Sequence, residues 1–201
     1  ERGGLLNAPD VYMHKIAIGG GYPTGTVDLG QSATENVKEL AKAKGVPVNE
    51  ITACVLDRPR HGALIEELRK VGVALKQISD GDITSIIHAT NSEETGIDIY
   101  LGAGGAPEGV LAAAALRCVG GQMQGQLILD TDEKLARARA MGIEDPYRKY
   151  AVDELASGDV LFAATGVTDG NLLEGVRIGR NHVSTSTVVM RSWSQDRKSV
   201  V

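Results

Sequence analysis

The chain has 201 residues, a formal net charge of −5 and no long basic run, which argues against nucleic acid as its main partner. Hydrophobic residues make up 42% and charged residues 23%, ordinary values for a soluble globular protein, and no apolar run reaches the ~20 residues that span a bilayer. Aromatic residues are only 3%, so the core must be built from Ala, Val, Leu and Ile, which favours α/β packing over an aromatic-rich sandwich.

The chain opens within what reads as the edge of an element, Glu1 to Leu6, on Glu rather than Met, and we expect a fragment or a processed chain. Ser32-Ala33-Thr34-Glu35 is a capping box that starts a helix carrying Val37, Leu40 and Ala41, and Gly45 closes it. A short strand, Ile51 to Leu56, runs into Asp57-Arg58-Pro59-Arg60-His61. The next helix shows Leu64, Ile65, Leu68 and Val71 on one face. The strand Val73 to Ile78 ends at Ser79-Asp80-Gly81-Asp82, and a short helix spans Ile83 to Ala89. Ile97 to Leu101 reads as a strand, Gly102 to Gly105 as a glycine loop, and Val110 to Leu116 as an apolar helix with Pro107 at its first position. Further on come a strand near Gly125 to Leu129, a charged helix from Thr131 to Met141 and a strand from Val160 to Ala164. The turn Thr165 to Asn171 and strands at Val176 to Ile178 and Val183 to Arg191 complete the order. With neither repeat nor low-complexity linker, residues 1–201 read as a single compact unit.

Four polar segments follow strands: Arg58 to Arg60, Asp80 to Asp82, Gly102 to Glu108, and Thr165 to Asn171. If the strands run parallel, these segments meet in one crevice. Guanidinium forks at Arg58 and Arg60, stiffened by Pro59, suit phosphate oxygens. A solvated surface turn is the competing reading. Asp80-Gly81-Asp82 suits sugar hydroxyls or a metal, and equally a turn with a helix cap. Glu108, in the first turn of a helix behind three glycines, offers an oxygen ligand to a divalent cation, and equally complements the helix dipole. The glycines do not follow a dinucleotide pattern, and there is no nucleotide P-loop, serine nucleophile elbow or Cys/His zinc cluster. Cys54 and Cys118 sit in apolar runs and read as reduced core thiols.

Taken together, Asn7 to Met13, Arg58 to His61, Ser79 to Asp82, Gly104 to Gly109, Arg139 to Ile143 and Ala164 to Gly175 resemble the class II (GlpX-type) fructose-1,6-bisphosphatases, including forms that also cleave sedoheptulose-1,7-bisphosphate. The resemblance implies a layered α-β-α-β-α fold shared with sugar and inositol phosphatases, incomplete at the N-terminus here. It also implies Mg²⁺- or Mn²⁺-dependent hydrolysis of a sugar 1-phosphate in gluconeogenesis or the Calvin cycle, by a cytoplasmic dimer or tetramer. By position it assigns Tyr12, Arg58, Pro59, Arg60, Asp80, Gly81, Asp82 and Gly105 to substrate and Glu108 to metal. The family's Asp-Pro-x-Glu-Gly-Thr motif, with its metal carboxylates and the threonine that helps activate water, does not occur in residues 1–201, so the resemblance assigns no catalytic residue here. The alternative is a non-catalytic sugar-phosphate binding or regulatory module.

Overall fold

In the computed structural model, which describes residues 3–194 and the backbone of 196–200, two sheets clasp one alanine-rich helix. The larger sheet holds β1 (Tyr12–Ile18), β2 (Thr52–Leu56), β3 (Ala74–Ile78), β4 (Ile99–Gly105), β5 (Gln122–Leu127) and β6 (Lys149–Ala151), in the order β3-β2-β4-β1-β5-β6. β2 runs parallel to both β3 and β4, whereas β1 is antiparallel to β4 and β5. The smaller sheet joins β7 (Leu161–Thr165), β10 (Thr187–Arg191) and β11 (Asp196–Val200), all antiparallel. β8 (Arg177–Ile178) and β9 (Val183–Ser184) form a separate ribbon.

Helices cover the larger sheet according to which face of each is apolar. Val37, Leu40 and Ala41 of α1 (Ala33–Lys44) and Ile65 and Leu68 of α2 (Gly62–Val71) pack on Ile16, Ile18, Val55, Ile99 and Leu101. On the opposite face lie α3 (Asp82–His88) and α5 (Ala106–Val119), the short α4 (Ser92–Thr95) intervening in the chain. A charged helix, α6 (Asp132–Ala140), buries only Ala138, and α7 (Val152–Leu155) packs Leu155 into the same core. Nearly every residue of α5 from Gly109 to Leu116 is buried, because Val188 and Met190 of β10 cover the side turned away from the larger sheet. A helix held between two sheets keeps little solvent face, here Leu111 and the first turn, and alanines let both sheets approach it. Helix, sheet, helix and sheet thus succeed one another, the mixed α/β layering expected from the alternating pattern.

The sequence reading of α1 holds in detail. Ser32 and Glu35 form a reciprocal capping box, and Gly45 ends the helix in the left-handed conformation at φ 74°. Three expectations need correction. Gly102 to Gly105 form the end of strand β4, paired with Tyr12 to Lys15, not a loop. α5 begins at Ala106, one residue before Pro107. The run Val183 to Arg191 is broken, because β9 and β10 belong to different sheets. Strand β1 went unrecognised in the sequence, since His14 and Lys15 interrupt its apolar pattern. Glu1 and Arg2 of the opening segment lie outside the described residues, while Leu5 bridges to Ala156. Both cysteines are free and buried, and no described helix is long and apolar enough to cross a membrane.

Ala113 is fully buried within the clasped helix. Ala113→Leu should therefore lower unfolding free energy by about 1–3 kcal/mol through overpacking, measured by urea denaturation.

Candidate functional site

Strand polarity decides what meets what. β2, β3 and β4 are parallel, so Arg58–Arg60, Asp80–Asp82 and Glu108 all follow strands at one edge of the larger sheet. Antiparallel β1 brings its first residue, Tyr12, to that same edge, opposite Gly105. Three of the four expected loops thus converge. The fourth, Thr165–Asn171, follows a strand of the other sheet and lines a separate groove of about 490 Å³ with Ile83, Thr84 and Leu111. Its Asp169 accepts from the Gly175 N–H and from Arg177, at 2.9 and 3.0 Å.

The loop after β2 is anchored by side chains where β2 and β4 part. Their ladder extends only to Ala53–Ile99 and Cys54–Tyr100, leaving the N–H and carbonyl of Ala103 without a β2 partner. His61, in the 3₁₀ turn Pro59–His61, fills the gap: the Ala103 N–H donates to Nε2 at 2.8 Å, and Nδ1 lies 2.7 Å from the Leu56 carbonyl. Nε2 must accept, so the proton resides on Nδ1 and the ring is neutral. Arg60 completes the splice, donating from Nε and Nη2 to the Ala103 carbonyl at 3.1 and 2.8 Å. Its guanidinium also lies over the Tyr12 ring, 4.7 Å from the centroid. Half of the Arg60 fork is thereby committed to the fold. Arg58 is exposed, with a single long contact to its neighbour's carbonyl, and its guanidinium is free for a ligand.

On the α5 side of the sheet, Lys15 of β1 is fully buried and donates to Asp82 Oδ2 at 2.6 Å. Asp82 Oδ1 accepts from the Ile83 N–H at 2.9 Å, and Asp80 accepts from the Gly81 N–H at 2.8 Å. Gly81, in the left-handed conformation at φ 88°, occupies the cap position of α3, so neither aspartate is the side-chain cap expected there. Burial pulls the Lys15 ammonium below the ordinary lysine value, opposed by the charge and hydrogen bond of Asp82. Space for this pair comes from missing side chains. A Cβ at Gly104 would collide with Asp82 Oδ2 and lie 3.1 Å from Lys15 Nζ; one at Gly109 would lie 2.6 Å from Met13 Sδ and 3.1 Å from Lys15 Cε. At Gly105 a Cβ would strike the carboxylate of Glu108, which folds back over the strand end from the first turn of α5.

Glu108 is exposed. Among the described residues, no group of three His, Cys, Asp or Glu side chains is placed to hold a metal ion. Asp82, the nearby acid at this edge, is engaged by Lys15. Glu108 thus brings a single carboxylate to this edge, and the described residues do not build a metal centre on their own. On the α1 side of the sheet, His14, Gln31, Arg60, His61 and Leu64 line a cavity of about 270 Å³.

Lys15 and His61 were not singled out from the sequence. The signal for Lys15 was a lone cation inside an apolar run, Met13 to Ile18, which reads as a solvent-facing strand position until the fold buries it. His61 gave no signal apart from following Arg60.

A mixed sheet with cationic, acidic and glycine-rich chain ends gathered where parallel strands terminate defines an α/β scaffold with a candidate ligand site at those strand ends. The family model described as bacterial fructose-1,6-bisphosphatase, glpX-encoded, matches residues 1–201, and the chain belongs to that family. It is 44% identical over 213 residues to a D-fructose 1,6-bisphosphatase class 2/sedoheptulose 1,7-bisphosphatase of Trichodesmium erythraeum, covering 100% of this chain and 61% of the relative. The protein of the same name from Microcystis aeruginosa gives 44% identity with the same coverage. That of Parasynechococcus marenigrum gives 45% over 204 residues, covering 94% of this chain and 60% of the relative. The chain thus spans about 60% of the length of these relatives.

Burial holds the His61 pKa below its ordinary value of 6.5, and burial above all lowers His14 as well, since protonating both neighbouring rings would set like charges against each other. As pH falls through 6.5 towards the lower folded values, the unfolded chain takes up protons that the native chain refuses, so stability is lost on acidification. Urea unfolding followed from pH 7.5 to about 5 should show this loss, with a shallower slope in His61→Gln. An unchanged slope in that variant would remove His61 from the account.

Proposed function

We propose that this chain is the substrate-gripping portion of a sugar bisphosphatase whose substrate is fructose-1,6-bisphosphate, with sedoheptulose-1,7-bisphosphate as a second candidate. The observation that carries the reading is the convergence of Tyr12, Arg58, Arg60, Asp80, Asp82 and Glu108 on one sheet edge. Arg58, with its free fork, and the outer part of Arg60 take the phosphate that is not cleaved. Pro59 fixes the turn, and Tyr12 supports Arg60 from below. Asp80, Gly81 and Asp82 face the sugar hydroxyls, and Gly105, whose missing side chain makes room for the Glu108 carboxylate, meets the substrate with its backbone. A Mg²⁺ or Mn²⁺ ion, held by Glu108 with other ligands, would polarise the phosphoryl group and acidify a water. The side chains described here bind and orient; none of them is assigned as a base. The same reading takes the protein to be a cytoplasmic homo-oligomer.

A non-catalytic sugar-phosphate module is the second reading, favoured by the single carboxylate that Glu108 brings to the metal. Calorimetric titration should show fructose-1,6-bisphosphate binding to the chain, weakened about tenfold in Arg58→Ala, with phosphate release at background with or without Mn²⁺. Absence of binding, or an Arg58→Ala chain that binds as tightly as its parent, would contradict the reading. Metal-dependent turnover by the chain would overturn the expected background rate and retire the non-catalytic alternative.

A further inference from the structure

Lys15 is the most deeply buried charge at the candidate site, with no exposed surface, and it belongs to no recognition loop. Its side chain runs from the middle of β1 past Gly109 to the end of β4, where Nζ meets Asp82 Oδ2 at 2.6 Å. This course brings an ammonium close to the N-terminal turn of α5, the positive end of the helix dipole, where a cation is electrostatically unwelcome. Its place there is made tolerable by carboxylates, Asp82 in direct contact and Glu108 nearby. Two glycines keep the passage open: a side chain at Gly104 would strike Asp82 and crowd the Lys15 ammonium, and one at Gly109 would strike Met13 and crowd the lysine stem.

The pair spans 67 residues and ties β1 to the first residue of α3. Asp82 cannot rotate freely, since Oδ2 is held by Lys15 and Oδ1 by the Ile83 N–H, one of the orphan donors at the start of the helix. The constraint decides where the Asp80–Asp82 turn points.

We propose that Lys15 is a positioning residue for sugar recognition: by holding Asp82 against the end of β4 beside Gly104, it sets the orientation of the turn that contacts the sugar hydroxyls. This rests on the sugar-bisphosphate reading for its ligand, though not for its geometry. Lys15 acts through Asp82 and contacts no phosphate, so its loss weakens sugar recognition and spares the arginine clamp.

The test compares the parent chain with Lys15→Met, which keeps length and apolar bulk, and with Gly104→Ala, which keeps both charges while crowding them. In the ligand-free chain, amide hydrogen exchange at Ile83 should accelerate about tenfold or more in each variant, beyond any change at the α5 core amides. An unchanged Ile83 rate in a folded variant overturns the assignment whatever the ligand does. In calorimetric titrations, fructose-1,6-bisphosphate affinity should fall about 10- to 100-fold in Lys15→Met while inorganic phosphate affinity stays within about twofold. The double variant with Asp82→Asn should bind no more weakly than the weaker single variant. Equal losses for sugar bisphosphate and phosphate, or additive losses in the double variant, overturn the proposal. If Lys15→Met does not fold, Gly104→Ala carries both readouts with the same expected split. A parent chain that binds no sugar bisphosphate overturns the functional reading instead, and the Ile83 exchange still decides the positioning role.

Discussion

Because β2, β3 and β4 run in one direction and β1 runs back beside β4, three chain segments that leave strands and one that enters a strand arrive at the same edge of the sheet. Reversing any one strand would send its polar segment to the far end. Parallel neighbours also end with unpaired backbone groups, and here those groups are used. Ala103, beyond the last ladder pair with β2, is satisfied on both its N–H and its carbonyl by His61 and Arg60. The Arg58–His61 segment is thus fastened by the same deficiency in backbone pairing that opens the sheet edge.

The two faces of this edge are built on different principles. Towards α1 and α2, neutral His61 and the Arg60–Tyr12 stack splice the loop to β4. Towards α3 and α5, a buried ion pair occupies room left by Gly104 and Gly109. Removing one member of a buried pair costs about 3–5 kcal/mol because the other charge is stranded. The glycines near the end of β4 therefore serve close approach between charged side chains and backbone, which accounts for a glycine run inside a paired strand.

Much of the architecture was legible because local chemistry and tertiary structure agree. Ser32, Glu35 and Gly45 mark the limits of α1 without help from the rest of the chain, and the short apolar runs before Arg58 and Asp80 are strands. The candidate site was legible to the extent that polar residues directly follow such strands. What escaped notice depended on partners distant in sequence. Gly102 to Gly105 read as a loop because their pairing with Tyr12 to Lys15 lies nearly ninety positions away along the chain. Lys15 drew no notice because Asp82, 67 residues on, is what makes its burial possible. Thr165–Asn171 follows a strand with the same local pattern as the others, and no local signal reveals that this strand joins the smaller sheet.

Chemical-shift mapping of the isotope-labelled chain with fructose-1,6-bisphosphate tests the convergent site most directly. Perturbations confined to Tyr12, Arg58 to His61, Asp80 to Ile83 and Gly104 to Gly109, all moving with one saturation curve, are the predicted result. Saturable shifts centred on Thr165 to Asn171 or on the outer faces of α1 and α2, with the sheet edge unmoved, would contradict it.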